Sequence, residues 1–474
     1  MSVSVSHTKN ALFLFHRDLR IDDNVGLVQA LRQYDAVYTA FIFTPEQVSR
    51  ANPYKSTNSI QFMIESLEEL AQDISHRGHG QLIFLYGNTS KLLVSLFQEL
   101  KIDALFFNRD YTPYARKRDA SIMALCLRAG IKCFTYADYY LQEPGTVLNG
   151  SGEMYHKFTS FYTDMLARPV LKPAVITPSM LSHFAKPRTK VPGAFDLDMT
   201  MFVKNPNPDL LVHGGRTLAK KRLQLAVRTL AAHFDQSRNH MEKDTTLLSA
   251  YLKYGCISIR EAFYAFAKNH GLKNNGIIRE LIWRDFFAHL LYMFPDTLHQ
   301  SYYRQYDRIT WSANRGLLED WKRGATGFPL VDASMRQLNT TGYMHNRGRM
   351  VVASFLMKTL LIDWREGERY FAQQLVDYDV ASNRGNWASI LGGGAYSMPW
   401  FRVMNPWIQS AKYDKEAVYV KRWVPELADV DARDIHRWSS ACHLDKYKAV
   451  RYPEPVVDYT EQKAKYMKMM HAVM

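Results

Sequence analysis

Short apolar runs alternate with longer amphipathic stretches in the first third of the chain. Runs of this kind, rich in Val, Ile, Leu and Phe, predict βαβ units and a Rossmann-like, doubly wound parallel sheet. A ligand of such a sheet lies at the carboxyl ends of the strands. The predicted strands are ALFLF (11–15), VYTAFIF (37–43), QLIFLY (81–86), ALFF (104–107) and IKCF (131–134).

The pattern changes after the last of these runs. Residues 135–205 are rich in proline and poor in periodic stretches, which is typical of a connector. Beyond it, apolar residues recur at helical spacing. The sequence therefore predicts an α/β domain (1–134), a linker (135–205) and a large all-α domain (206–474). Three stretches show the helical pattern most clearly, namely 216–234, 277–294 and 350–364.

Length and charge limit the number of domains and the class of partner. A chain of 474 residues exceeds what one hydrophobic core usually organises. Its 60 Lys and Arg against 46 Asp and Glu give a net charge of +14, which favours a nucleic-acid partner, although a solvated basic surface gives the same balance. The N-terminus shows no secretion signal, and no apolar run reaches membrane-spanning length. We expect a soluble intracellular monomer, cytoplasmic or nuclear.

Common catalytic and nucleotide-binding signatures are absent. No G-x-G-x-x-G follows the first predicted strand, and the chain has no P-loop, H-E-x-x-H or G-x-S-x-G. The four cysteines, Cys126, Cys133, Cys256 and Cys442, have no metal-ligand or disulfide spacing. We therefore expect no metal site and neither hydrolytic nor metal-dependent chemistry.

Polar residues cluster at three places in the helical half. DYDVASNRGNW (377–387) and YMHNRGR (343–349) combine carboxylates, amides and arginines, which suit the polar edge of a planar ring. A helix cap with an ordinary ion pair between Arg349 and Asp377 explains the same residues. KDTTLLSAYLKYG (243–255) places hydroxyls at a helix start, where they suit a phosphate or a simple N-cap.

Together these stretches resemble the photolyase/cryptochrome family over nearly the whole chain, and most closely its class I cyclobutane pyrimidine dimer photolyases. The stretches occur in that family's order and spacing. They are FHRDLRIDDN (15–24), MYHKFTSFYTDM (154–165), ELIWRDFFAHLL (280–291), TGFPLVDASMRQL (326–338), TGYMHNRGRM (341–350), LLIDWREGERYF (360–371) and DYDVASNRGNW (377–387).

The resemblance implies that FAD, active in its reduced form, binds in the helical domain. Asp379 is implied to face the N3–H edge of the isoalloxazine ring, and Asn383 its N5. Phe234 departs from the family, because many relatives have a tyrosine there. The positions that match FAD-contacting residues are Phe234, Thr245, Thr246, Leu247, Leu248, Ser249, Arg284, Arg349, Asp377, Asp379 and Asn383.

A second, light-harvesting chromophore is also implied for the family. The stretch NRDYTPYARKRD (108–119) lies in that region, with Ala115 near the place where some folate-binding relatives have a glutamate. A folate and a deazaflavin both stay open as its identity.

The resemblance further implies how the protein acts on DNA. An electron passes from excited reduced flavin into a flipped-out dimer, with Glu280 and Asn383 as catalytic residues. Trp387, Trp364 and Trp311 match the family's electron-transfer chain to the flavin. The positions that match dimer-binding residues are Arg238, Glu280, Trp283, Asn346, Arg347 and Met350.

Ser389 is a departure, since many bacterial enzymes have there a second tryptophan that stacks on the dimer. The preference for single- or double-stranded DNA is therefore open. Two alternatives remain beside dimer repair. One is a blue-light photoreceptor of the cryptochrome type, with DASH-like single-strand preference. The other is a basic nucleic-acid-binding protein without catalysis, which would bind no flavin.

Overall fold

The computed structural model describes residues 8–272 and 275–474. Residues 1–7, on which the prediction of no secretion signal partly rests, lie outside the described residues. Within the described ranges, no helix combines the length and apolar character needed to cross a membrane.

The N-terminal region is a five-stranded parallel sheet of order β3-β2-β1-β4-β5, as predicted. Its order reverses between β1 and β4, and the carboxyl ends of these strands form the position where such sheets bind ligands. The strands are β1 Asn10–Phe15, β2 Ala36–Phe43, β3 Leu82–Tyr86, β4 Ala104–Asn108 and β5 Lys132–Tyr136.

Strand residues alternate between two apolar cores. Leu12, Leu14 and Leu105 face one core beneath the outer helices. Phe13 and Phe106 face the other, which continues into the helical region. Because side chains alternate along a strand, both sheet faces are covered, as expected for near-continuous apolar runs.

The other elements of residues 8–272 and 275–474 are helices, and the predicted fold class is confirmed. Within the sheet region they are α1 Val25–Gln33, α2 Pro45–Val48, α3 Thr57–Gly78, α4 Thr89–Glu99 and α5 Pro113–Ala129. They continue with α6 Phe158–Ala167, α7 Pro178–Leu181, α8 Arg216–Leu225, α9 Phe234–Ser237, α10 Ser249–Tyr254, α11 Ile259–His270 and α12 Gly276–Met293. The last are α13 Arg315–Arg323, α14 Pro329–Thr341, α15 Asn346–Lys358, α16 Trp364–Gln374, α17 Val380–Leu391, α18 Pro406–Tyr413, α19 Val418–Trp423, α20 Ala432–Ile435, α21 Trp438–Ala441 and α22 Tyr459–His471.

Two predicted helices are interrupted. Stretch 350–364 contains the end of α15 and the start of α16, because Leu361 has a φ of 58° and Asp363 caps α16 by accepting from Arg365 N. Leu360 and Ile362 stay buried, so apolar spacing continues through a non-helical link. Stretch 216–234 leaves α-helical geometry after α8 through a π-helical turn, although no glycine or proline marks the break.

The segment 135–205 packs on the sheet. It pairs Phe184 with Val37 of β2 and Phe195 with Phe84 of β3. The glycine at position 78 allows this approach, since a Cβ there would lie 2.3 Å from the Phe184 ring. The domain limits at 134 and 205 stay a prediction.

Buried ion pairs join the sheet region to the helices. Arg20 donates to Asp138 at 2.6 Å, and Arg260 of α11 donates to Asp138 at 2.7 Å and to Asp23 at 3.0 Å. Burial alone would raise the pKa of Asp138, but the two guanidinium groups hold it below its ordinary value. Removing one partner of a buried ion pair leaves the other charge buried and unpaired, which costs free energy of folding. These pairs therefore fix how the sheet region and the helices meet.

Candidate functional site

A buried carboxylate lies where α10, α15 and the segment before α17 meet. Asp377 Oδ2 accepts from Arg349 Nη2 at 2.9 Å and from Ser249 Oγ at 2.6 Å. Burial would lower the pKa of Arg349, but Asp377 and Tyr343 hold it above its ordinary value. Asp377 Oδ1 is also buried, and none of the described residues hydrogen-bonds to it. An unpaired buried acceptor fits a polar ligand with an N–H or O–H group, as FAD has.

The segment 245–249 lies against this carboxylate. Arg222 of α8 fixes it, because Nε donates to Thr246 O at 2.8 Å and Nη2 donates to the carbonyl of Thr245. Leu247 has a φ of 51°, and Leu248 is buried. The predicted segment thus has one defined shape beside Asp377. The helical pattern of 216–234 contained Arg222, but spacing gave no sign of its contact.

Phe234 and Arg284, two further predicted cofactor positions, contact protein groups outside the Asp377 cluster. Phe234 is half-buried, and its ring lies 5.9 Å from the Arg238 guanidinium, without a hydroxyl to offer a phosphate. Arg284 donates to Tyr139 O at 2.6 Å and to Leu252 O at 3.3 Å, so its guanidinium joins α12 to the residue Tyr139 and to α10.

Asn383 is oriented by a residue that sequence reasoning missed. Its Nδ2 donates to Glu368 Oε1 at 3.1 Å, and the Tyr378 hydroxyl donates to the same oxygen at 3.0 Å. With Nδ2 engaged, the carbonyl oxygen of Asn383 is the end that can accept a hydrogen bond from a ligand. Burial raises the pKa of Glu368, and both donors oppose that rise. Glu368 lies in the quoted stretch 360–371, so the motif contained the signal.

Asp379 connects the helical site to the sheet. Its Oδ1 accepts from Ser382 N at 3.0 Å as the cap of α17, and its Oδ2 accepts from Arg17 Nη1 at 3.0 Å. Arg17 follows β1 and also donates to Asp110, after β4, at 2.7 Å. The topological switch of the sheet therefore lies next to the start of α17.

A cavity of about 450 Å³ opens at the same place. It is bordered by the carboxyl ends of β1 and β2, the start of α3, and α16 and α17. Its lining includes His16, Arg118, Tyr54, Glu368 and Asp379. The cavity is large enough for a planar chromophore and reaches the residues that orient Asn383.

The three predicted electron-transfer tryptophans differ in burial. Trp387 and Trp364 are buried, whereas Trp311 is partly exposed, and their role as an electron-transfer chain stays a prediction. Trp387 packs edge-on against Phe371 at 5.1 Å and Trp321 at 6.4 Å. Arg384 lies 3.6 Å over the Trp364 ring. The ring contacts found among the described residues do not join the three directly.

The predicted dimer-binding residues form a second cluster. Arg238 is ion-paired with Glu280 of α12, while the next residue, Asn239, accepts from Arg347 of α15. Asn346 is exposed, and its Nδ2 lies 4.0 Å from Met350 Sδ. Arg238 therefore lies between Glu280, with which it is paired, and Arg347, on which its charge acts.

The face that carries Arg238 and Arg347 is strongly basic. Burial lowers the pKa of Arg347, and the charges of Arg238 and Arg402 lower it further. Arg402 lies in the segment before α18 and was not predicted, because it belongs to no periodic pattern. Clustered guanidinium groups favour phosphates.

Trp283 follows Glu280 by one helical turn. Its ring stacks on Phe158 at 3.4 Å with an interplanar angle of 4°, and Tyr396 packs against its edge at 5.0 Å. Trp283 is therefore part of an aromatic group beside the basic face.

Cys442, His443 and Glu454 lie together in the C-terminal region, with possible ligand atoms within 4.8 Å of one another. His443 and Glu454 are exposed, and we assign no function to the group.

The fold thus combines a parallel α/β sheet with a helical region that carries a buried carboxylate cluster and a basic face, and a cavity opens where sheet and helices meet. Residues 277–472 match the family described as FAD binding domain of DNA photolyase, and residues 11–178 match the DNA photolyase family. The chain belongs to the photolyase/cryptochrome family, and its helical region is an FAD-binding domain.

Three similar proteins illustrate the family. The deoxyribodipyrimidine photo-lyase of Synechococcus sp. is 35% identical, over 94% of this chain and 93% of that protein. The archaeal photolyase of Sulfolobus tokodaii, solved with two FAD molecules, superposes with a TM-score of 0.86 at 38% identity, over 98% of this chain and 100% of that one. The cryptochrome of Synechocystis sp. superposes with a TM-score of 0.88 at 27% identity, over 98% of this chain and 99% of that one.

Proposed function

We propose that this protein repairs cyclobutane pyrimidine dimers in DNA under blue light. The supporting observation is that the first turn of α15 contributes to both clusters. Arg349 pairs with Asp377 at the cofactor cluster, while Arg347 contacts Asn239 at the basic face. A base held at that face would therefore lie beside the cofactor without a rearrangement of α15.

Reduced FAD, when bound, would lend the light-excited electron that opens the cyclobutane ring and would take it back from the separated pyrimidines, so that no net oxidation occurs. The residues of this chain hold and orient the two partners. Asp377 Oδ1, which is buried and has no hydrogen-bond partner among the described residues, and the carbonyl oxygen of Asn383 would accept hydrogen bonds from the cofactor. Glu280 accepts from a pyrimidine N–H, while the Arg238 guanidinium keeps its carboxylate in place.

The basic face binds the DNA backbone. Arg238, Arg347 and Arg402 favour phosphates on the strand that carries the dimer. A dimer pairs weakly with the opposite strand, so extruding it costs less than extruding a normal base. Affinity for damaged DNA therefore combines a salt-dependent contribution from phosphates with a contribution from the pocket.

Glu280→Ala tests the assignment. We expect repair of a dimer-containing oligonucleotide at limiting concentration to fall about tenfold, since a charge-assisted hydrogen bond is lost. The bound FAD spectrum should not change. Glu319→Ala is the matched control, because Glu319 is an exposed carboxylate whose ion-pair partner among the described residues is Lys322. Equal repair by the two variants would contradict the role of Glu280.

The cavity at the sheet edge is proposed to hold the second chromophore. Its volume and its contact with Asp379 and Glu368 support a planar light-absorbing ligand. The second FAD of the Sulfolobus tokodaii photolyase adds a flavin to the folate and deazaflavin considered above. Chromatography of chromophores released from the purified protein distinguishes the three, and release of FAD alone in equimolar amount contradicts the proposal.

The class I assignment remains a prediction, and so does the photoreceptor alternative, since a cryptochrome has the same fold. Restoration of pyrimidines in light distinguishes repair from signalling. A protein that binds photoreducible FAD but restores none would be a photoreceptor.

A further inference from the structure

The loop after α17 is folded back onto the end of that helix. The N–H groups of Gly392, Gly393 and Gly394 lie within 3.1–3.2 Å of Ala388 O. Ser389 holds the loop at two further points. Its hydroxyl donates to Tyr396 O, and its carbonyl accepts from Met398 N at 3.0 Å. The small, hydroxylated residue at 389 therefore fixes the backbone position of Tyr396.

Tyr396 presents a supported but accessible ring. The residue is 39% exposed. Its ring packs edge-on against Trp283 at 5.0 Å, Phe286 at 6.3 Å and Phe158 at 6.4 Å. Among the described residues, none hydrogen-bonds to its hydroxyl, so ring contacts and the loop backbone set its orientation.

The surroundings of this ring are those of a polyanion-binding face. Trp283 lies one helical turn from Glu280, which is paired with Arg238. The same segment continues to Phe401, which is 57% exposed, and to Arg402, whose charge acts on Arg347. Exposed aromatic rings among cations are the combination that binds unstacked bases, because every base has a π-face.

We propose that Tyr396, positioned by Ser389, is a base-stacking residue of the lesion site. This inference rests on the proposed function and adds a specificity residue to it. The loop 392–398 then supplies the aromatic surface that the side chain at 389 does not. Because the contact is made only with an extruded base, it raises affinity for damaged DNA and leaves binding to intact DNA unchanged.

Binding of labelled oligonucleotides in the dark tests the proposal. One oligonucleotide carries a single cyclobutane thymine dimer, and a second has the same sequence undamaged. For Tyr396→Ala we expect about tenfold weaker binding of the dimer, within the range for one base–aromatic stack. Binding of the undamaged strand should be unchanged. Tyr396→Phe should bind like wild type, because the hydroxyl takes no part.

Three further variants separate stacking from loss of structure. Tyr396→Leu keeps apolar bulk against Trp283 and should lose dimer affinity as Tyr396→Ala does. Tyr86→Ala removes another exposed tyrosine, on β3, and should leave binding of both oligonucleotides unchanged. Ser389→Ala should weaken dimer binding by a smaller factor, and adding it to Tyr396→Ala should cost nothing more, since both act on one contact.

The binding results distinguish failure of the Tyr396 inference from failure of the proposed function. If wild type prefers the dimer and Tyr396→Ala keeps that preference, the inference is wrong while dimer binding stands. Equal loss on damaged and undamaged strands also overturns it, because that result indicates a general backbone contact. If wild type shows no preference for the dimer, the proposed function fails, and the inference fails with it.

Discussion

Replacing Asp377 by Asn tests the buried cluster that the cofactor site depends on. The side chain of Asp377 is 3% exposed, and that of its partner Arg349 is 25% exposed. Removing one partner of a buried pair costs about 3–5 kcal/mol, mainly because the other charge stays buried and unpaired. Since Arg349 is a quarter exposed, water screens part of that penalty, and we expect a loss of about 2–3 kcal/mol in the free energy of unfolding.

Asp320→Asn provides the matched control. Asp320 also accepts from an arginine at 2.7 Å, but its partner Arg323 is 69% exposed. Such surface pairs contribute about 0–1 kcal/mol. Chemical unfolding followed by tryptophan fluorescence gives both values, in FAD-saturated and in FAD-depleted protein, so that loss of ligand is separated from loss of the pair.

Two results would refute this reasoning. One is an Asp377→Asn variant whose free energy of unfolding, in FAD-depleted protein, is no lower than that of Asp320→Asn. The other concerns the double variant Arg349→Met with Asp377→Asn, which removes the unpaired charge and should recover stability relative to Asp377→Asn alone. If the double variant is less stable by the full sum of both single losses, the pair is not coupled as described.

Three further predictions concern separate parts of the molecule. Trp364→Phe should slow photoreduction of bound oxidised FAD at least about tenfold, while repair by chemically reduced protein is unchanged, because only photoreduction needs the tryptophan path. Equal photoreduction rates of the variant and of wild type under the same illumination would exclude Trp364 from that path. Glu368→Ala should speed air oxidation of reduced FAD several-fold, measured at 450 nm, because Asn383 loses its anchor, whereas Glu368→Gln keeps an oxygen for Asn383 and should differ little from wild type. Burial lowers the pKa of Lys358 to about 7. Between pH 7 and the pKa of this lysine in the unfolded chain, the unfolded chain binds more protons, so the free energy of unfolding rises with pH. This rise should disappear in Lys358→Met, and an equal pH dependence of the free energy of unfolding in the two proteins from pH 7 to 10 would contradict the assignment.

The sequence predicted the sheet well because its strands are apolar on both faces and end at polar residues. Phe13 and Leu14 point into different cores, yet both belong to one unbroken apolar run. The same cue failed at Leu360 and Ile362, because burial continues where the helix does not. Hydrophobic spacing reports burial, and it cannot separate a helix from a short link that is equally buried.

The site was predictable where motif and local structure coincide. Arg349 and Asp377, both matched to FAD-contacting positions, form an ion pair, and Ser249, another such position, donates to the same carboxylate. Contacts between distant parts of the chain were not predictable. Arg17 and Asp379 are 362 positions apart, and no periodicity connects them. Tyr396 lies in a glycine-rich loop whose path depends on hydrogen bonds to Ala388 and Ser389.

Repair itself is the most direct measurement of the central claim. Purified protein with reduced FAD is mixed with an oligonucleotide that contains one cyclobutane thymine dimer, and the products are separated after blue light or darkness. We predict that intact thymines reappear only in the illuminated sample, at a rate that falls about tenfold in Glu280→Ala. Photoreducible FAD without any restored thymine would contradict the account.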